Sequence, residues 1–94
     1  MTHVTYILRC ADETLYVGCT NNLAKRLVEH NTSKKGAHYT KIRRPVVLQY
    51  HEVFATLAEA RAREAQLKRL TRAQKLQMLA DIKIATPRAV TPKG

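Results

Sequence analysis

The chain has 94 residues, 45% of them apolar, which is enough for one hydrophobic core and a single small domain. Seventeen Lys and Arg against seven Asp and Glu give a net charge of +10, a potential that draws polyanions and makes nucleic acid the expected partner ahead of an anionic membrane surface. No apolar run approaches the ~20 residues of a spanning helix and no charged-then-apolar leader opens the chain, so a membrane-spanning role is excluded and a soluble cytoplasmic protein is expected.

Val4 to Cys10, with β-branched and aromatic residues, predicts a strand; residues 11–14 carry turn character, and Leu15 to Cys19 predicts the returning strand. Side chains alternate faces, so the parity of the turn matters. If Cys10 pairs with Thr14, Tyr6 faces Gly18 and Tyr16 lies on the same face opposite Leu8. A slip of one residue would separate the tyrosines onto opposite faces. We adopt the first register, in which Gly18 leaves a gap beside the Tyr6 ring that a substrate backbone could approach. Cys10 and Cys19 then sit at opposite ends of the ladder, roughly five residues apart at ~3.3 Å each, beyond the ~7 Å limit of a disulfide. Free thiols are expected, and no Cys or His spacing points to structural zinc.

Asn21 and Asn22 have N-cap character for a helix from about residue 23 to 31, with Leu23 and Leu27 on its buried stripe. Arg26 and His30 share a different stripe, one turn apart, where a guanidinium and an imidazole could grip one phosphate; alone, each reads as an ordinary surface or packing residue. Residues 32–44 are polar and basic, broken at Gly36, and read as a loop with one helical turn. Lys34, Lys35, Lys41, Arg43 and Arg44, interleaved with His38 and Tyr39, suit phosphate contacts with one stacking ring.

Pro45 marks the entry to a third strand over residues 46–53, apolar at first and then alternating, which completes a three-stranded sheet. Thr56 and Glu59 form a capping box for a helix ending near Leu70, and Thr71 and Gln74 form a second for a helix over about 72–83. Leu76, Leu79 and Ile82 of that last helix are expected to close the core. Residues 86–94, with two prolines and no periodicity, read as a flexible tail, leaving 1–85 as the folded domain.

The helix after Thr56 contains an anomaly. Leu57, Ala60 and Leu67 fall on one apolar stripe, and Glu64 falls between them at the same spacing. An unpaired buried carboxylate is costly, so Glu64 calls for a partner: a basic side chain such as Arg61 or Arg63, or a divalent metal.

Tyr6, Tyr16-Val17-Gly18, Arg26, His30 and Glu64, in this order and spacing, resemble the GIY-YIG nuclease family, over a span from Val4 to about residue 80. Tyr16-Val17-Gly18 stands for Tyr-Ile-Gly; Val4-Thr5-Tyr6 stands for Gly-Ile-Tyr with only its tyrosine kept. Segment 33–40, the following Arg43-Arg44-Pro45 and segment 63–71 are similar to the small stand-alone bacterial branch.

The resemblance implies an α+β fold, a small three-stranded antiparallel sheet flanked by three or more helices. It also implies an endonuclease hydrolysing DNA phosphodiester bonds. Glu64 would hold Mg²⁺ or Mn²⁺, a hard cation suited to oxygen ligands, and Arg26 would fork onto the scissile phosphate. Tyr6 would act as general base or relay, His30 would assist proton transfer or orient water, and Tyr16 would position phosphate or water. The division of labour between Tyr6 and His30 stays open at this level. The compact basic surface favours single-stranded or branched DNA, with no obligate protein partner and no membrane. The competing class is a non-catalytic nucleic-acid-binding protein that keeps the fold; a regulator acting through its last helix is a third.

Overall fold

The computed structural model describes residues 2–32 and 34–85. The tail expected over 86–94 lies outside the described residues. Three strands, β1 (His3–Arg9), β2 (Leu15–Thr20) and β3 (Val47–Phe54), alternate with α1 (Leu23–Thr32), the single-turn α2 (His38–Lys41), α3 (Leu57–Arg69) and α4 (Arg72–Ala85). The sheet is antiparallel, in the order β2-β1-β3. The α+β architecture inferred from the sequence is therefore the one observed, with every expected element present.

The hairpin register is the one that puts both tyrosines on one face. The Cys10 N–H donates to the Thr14 carbonyl at 2.8 Å and the Glu13 N–H to the Cys10 carbonyl at 2.9 Å. Glu13 takes a left-handed conformation with φ 71°, the closing residue of a three-residue hairpin loop. The Asp12 carboxylate accepts from the Thr14 N–H at 3.1 Å and its hydroxyl at 2.6 Å, tying the turn from inside.

Central strand β1 separates two apolar clusters. On one face Tyr6, Leu8, Cys10 and Val46 pack with Leu23 and Leu27 of α1 and with Tyr39 of α2. On the other, Ile7 and Val17 pack with Leu67 of α3 and with Met78 and Leu79 of α4. An irregularity between Ile7 and Leu8 in the β1–β3 pairing keeps this alternation: Ile7 faces Tyr50 and Leu8 faces Leu48, with Gln49 the extra residue. Leu76 is 41% exposed, so it does not close the core as its apolar character suggested. The Ile82 side chain lies outside the described residues.

Helix ends are secured where the sequence placed them. The Asn22 carboxamide oxygen accepts from the Lys25 N–H at 3.1 Å. Thr56 and Glu59 make both bonds of a capping box. Thr71 and Gln74 do the same, at 2.9 and 3.1 Å. One turn into α3 the buried Thr5 hydroxyl donates to the Ala60 carbonyl at 2.7 Å, fixing the helix on the sheet. Leu57, assigned to the buried stripe, is instead 43% exposed: the helix meets the sheet only from Ala60 onward.

Thr56→Ala removes the acceptor for the Glu59 N–H and should destabilise the protein by about 1 kcal/mol. Thermal unfolding should show this as a midpoint lowered by about 4–8 °C; an unchanged midpoint would mean that the box contributes nothing.

Candidate active site

The site begins at the hairpin. Tyr6 pairs with Gly18 and Leu8 with Tyr16, so both tyrosines face α1. A Cβ at Gly18 would lie 2.9 Å from Cε1 of Tyr6 and closer still to Cζ and the hydroxyl. The gap expected for a substrate backbone is thus filled by the phenol ring itself, which crosses over β2. Glycine is required there because the ring needs the space.

Helix α1 brings Arg26 and His30 to the same face, with different fates. His30 is fully buried. Its Nε2 lies 2.7 Å from the Tyr6 hydroxyl and its Nδ1 2.8 Å from Thr40 Oγ1. The Thr40 hydroxyl in turn donates to the Ala37 carbonyl at 2.9 Å. Tyr6 and Tyr16 meet the imidazole edge-on, with centroids 5.8 and 5.3 Å away. Both ring nitrogens are occupied inside the protein, so His30 does not share a phosphate with Arg26 as the helical spacing suggested.

Burial pushes His30 down to about 4, and the charges of Arg26 and Arg44 act the same way against an opposing Glu29. Burial and then neighbouring Tyr16 push Tyr6 up to about 12. Arg26, hydrogen-bonded to the Tyr6 hydroxyl, pulls in the other direction, and Glu64 adds a smaller upward push. The positive surroundings expected to ionise Tyr6 are present, yet desolvation outweighs them.

Arg26 is held from two further sides. Its Nη1 donates to Glu29 Oε1 at 2.9 Å and to the Lys35 carbonyl at 2.8 Å. With 27% of its side chain exposed, it is the charged group of the cluster open to solvent.

Glu64 arrives from the other side of the sheet. Ala60 and Leu67 are fully buried, and Glu64 stands between them with its side chain 18% exposed. Its partner is Lys68, Nζ to Oε2 3.2 Å, rather than Arg61 or Arg63. Arg63 is committed to Glu52 at 2.6 Å, and Arg61 is exposed. The Glu64 charge acts on Cys19 and on Tyr6. Tyr6, Tyr16 and His30 thus gather on one face of the sheet with Arg26 near Tyr6, while Glu64 belongs to the helix on the other face. Cys10 and Cys19 are both unpaired thiols, as expected.

The basic segment divides into surface and scaffold. Lys34, Lys35 and His38 are exposed and Lys41 is half-buried. Tyr39, expected to stack on a base, stacks on Tyr16 instead, with centroids 5.9 Å apart and planes at 29°, and has Arg43 over its ring at 3.9 Å. Arg43 also pairs with Asp12 at 2.9 Å. Arg44 donates from Nε to the His30 carbonyl at 2.5 Å and from Nη2 to the Glu29 carbonyl at 3.1 Å, closing the end of α1. Gly36 permits the approach of this segment, since a Cβ there would meet the Glu29 carbonyl at 2.6 Å. Thr40, fully buried on His30, was absent from the residues singled out by sequence. No spacing signal marks it, because the contact depends on how the segment after α1 folds back over that helix rather than on any periodicity.

Among the described residues no three His, Cys, Asp or Glu side chains gather as a ready-made metal site. No helix among them is long and apolar enough to cross a membrane.

Two outcomes follow from the Tyr6–His30 pair. His30 stays neutral in the folded protein down to about pH 4, whereas an exposed histidine titrates near ~6.5. Between those values the unfolded chain binds the extra proton, so the contribution is intact above ~6.5 and lost as pH falls toward 4, a change on the order of 3 kcal/mol. Denaturant midpoints measured from pH 7 to 4.5 should fall accordingly, and flat midpoints would contradict a buried neutral His30. Gly18→Ala should cost about 1–3 kcal/mol by overpacking against the phenol. Wild-type stability in that variant would mean that the ring does not need the glycine.

The GIY-YIG catalytic domain matches residues 2–77. A UPF0213 protein of Syntrophus aciditrophicus is 54% identical over 74 residues, 79% of this chain and 85% of the relative. One of Bacillus pumilus is 51% identical over 82 residues, covering 87% and 83%. Among solved structures, the solution structure of a protein from E. faecalis is similar with a TM-score of 0.62 and 42% identity, covering 89% of this chain and 88% of that one. That of a UPF0213 protein from Bacillus halodurans is similar with a TM-score of 0.56 and 38% identity, covering 85% and 84%. This chain belongs to the GIY-YIG catalytic-domain family, in the company of small bacterial UPF0213 proteins.

Proposed function

We propose that the protein is a cytoplasmic, divalent-metal-dependent endonuclease that hydrolyses DNA phosphodiester bonds, with single-stranded or branched DNA as its substrate. The observation that carries this reading is the Tyr6 hydroxyl held 2.7 Å from His30 Nε2 beside the guanidinium of Arg26.

Phosphodiester hydrolysis needs a water stripped of a proton and an answer to the negative charge that builds on the phosphate. Arg26, restrained by Glu29 and the Lys35 carbonyl yet open to solvent, meets that charge with little reorganisation. Tyr6 takes the proton of the attacking water on its oxygen while passing its own to His30, so no free phenolate has to form. That relay avoids a phenolate on a tyrosine pushed up to about 12, at the cost of a transient imidazolium on His30, which burial and the charges of Arg26 and Arg44 disfavour. Tyr16, half-buried on the same face, positions water or phosphate through its hydroxyl.

Glu64 fits a divalent cation as a single carboxylate ligand, since Mg²⁺ keeps several waters and is completed by substrate phosphate oxygens. Its present partner Lys68 has a side chain 57% exposed, which leaves it able to give way. When bound, Mg²⁺ or Mn²⁺ supplies charge neutralisation at the leaving oxygen. Exposed Lys34, Lys35 and His38, with Lys41, offer phosphate contacts over a short span, which suits a flexible strand or flap better than a long duplex. Tyr39, Arg43 and Arg44 support the site rather than the strand. The reading requires no obligate protein partner.

The Glu64–Lys68 ion pair favours the second reading, a DNA-binding protein without catalysis, because it neutralises the carboxylate with no metal. Incubation with single-stranded, duplex and branched DNA in Mg²⁺, Mn²⁺ or EDTA separates the two. Metal-dependent cleavage that Glu64→Ala and Tyr6→Phe both lose, the latter while folded and still binding DNA, is the expected result. Salt-sensitive binding with no cleavage of any substrate would sink the nuclease reading.

A further inference from the structure

The buried chain that begins at Tyr6 ends at Thr40, within the basic segment that follows α1. We propose that Thr40 is a positioning residue of the active site: it fixes His30 in the tautomer that leaves Nε2 bare to receive a proton from Tyr6.

A threonine hydroxyl has one proton to donate and two lone pairs to accept with, and a neutral imidazole has one N–H and one bare nitrogen. Thr40 Oγ1 lies 2.9 Å from the Ala37 carbonyl and 2.8 Å from His30 Nδ1. The carbonyl can only accept, so the hydroxyl proton points to it, and Oγ1 is left as an acceptor for Nδ1–H. Nε2 is then the bare nitrogen, and the Tyr6 hydroxyl at 2.7 Å is the donor to it. The direction of every bond is set by the acceptor-only carbonyl at the far end.

Burial makes the arrangement strict. His30 and Thr40 are fully buried and Tyr6 is 1% exposed, which leaves little access for bulk water to replace a lost partner. The Ala37 carbonyl is itself anchored, since it also accepts from the Lys41 N–H at 3.0 Å across the single turn of α2. With the opposite tautomer, Nε2–H would face the Tyr6 oxygen as a donor, and Tyr6 could not pass its proton inward.

The assignment rests on the nuclease reading only for its effect on rate; the tautomer is a property of the folded protein. Long-range ¹⁵N–¹H correlation of the His30 ring near neutral pH should show a protonated Nδ1 and a bare Nε2 in the wild type and in Thr40→Ser. Thr40→Val and Thr40→Ala, which lack the hydroxyl, should move toward protonated Nε2. A protonated Nε2 in the wild type, or an unchanged tautomer in both hydroxyl-free variants, would overturn the proposal. On a cleaved substrate, Thr40→Val should lower kcat by roughly 10–100-fold with KM unchanged, on the scale of other supporting groups that orient a histidine, and Thr40→Ser should restore it. Full kcat in Thr40→Val would overturn it equally. If the wild type cleaves nothing, the nuclease reading fails by itself, and the ring spectrum still decides on Thr40; if Thr40→Val does not fold, the wild-type spectrum and Thr40→Ala carry the test.

Discussion

A histidine sealed from water persists only where both its ring nitrogens have partners, because an unsatisfied polar atom in the interior costs a few kcal/mol. His30 meets that condition with Tyr6 on one side and Thr40 on the other. Much of the rest follows from it. Tyr6 can reach Nε2 only by crossing β2, and β2 lets it cross only at a glycine. Thr40 can reach Nδ1 only if the segment after α1 folds back over the helix end, which Gly36 allows and Arg44 secures through two α1 carbonyls. Asn31 adds a clasp to Val46, accepting from its N–H at 2.8 Å and donating to its carbonyl at 3.1 Å, so that α1 and the start of β3 move as one.

Charge is distributed to match. The interior holds the neutral pair, while the groups that carry charge near it, Arg26 and Glu64, stand toward the rim with counter-charges of their own. Burial and the charges of Tyr16 and Glu64 push Tyr6 up against the pull of Arg26, and the direction of its shift shows that burial wins. A tyrosine pushed up and a histidine pushed down form a poor pair of free acid and base, and both rest as neutral groups in the folded protein.

Local rules reached far into this fold. The turn parity that placed Tyr6 opposite Gly18 was legible because a buried face permits one register only, and the pattern of apolar residues leaves no freedom to slip. Both capping boxes could be read directly, since each is a contact between residues three apart. The family set of Tyr6, Tyr16, Arg26, His30 and Glu64 was legible as an ordered pattern. Leu57 and Leu76 were assigned to the core by residue type and spacing, and both are exposed, because burial depends on what packs from elsewhere in the chain. The partners of Tyr39, Arg43 and Arg44 were not legible for the same reason. For Glu64 the helix periodicity marked the anomaly, and the counter-ion is Lys68, one turn on in the same helix, rather than Arg61 or Arg63.

By itself, then, the sequence determined the element order, the register of the hairpin and the helix caps, because each depends on side chains within a few positions or on alternation along one strand. Only the tertiary structure decided that His30 is sealed in the interior between Tyr6 and Thr40, and that Tyr39, Arg43 and Arg44 engage groups of the protein itself. Those are questions of burial and of hydrogen-bond direction, and both are set by what packs from the other side of a side chain rather than by what stands next to it in the chain.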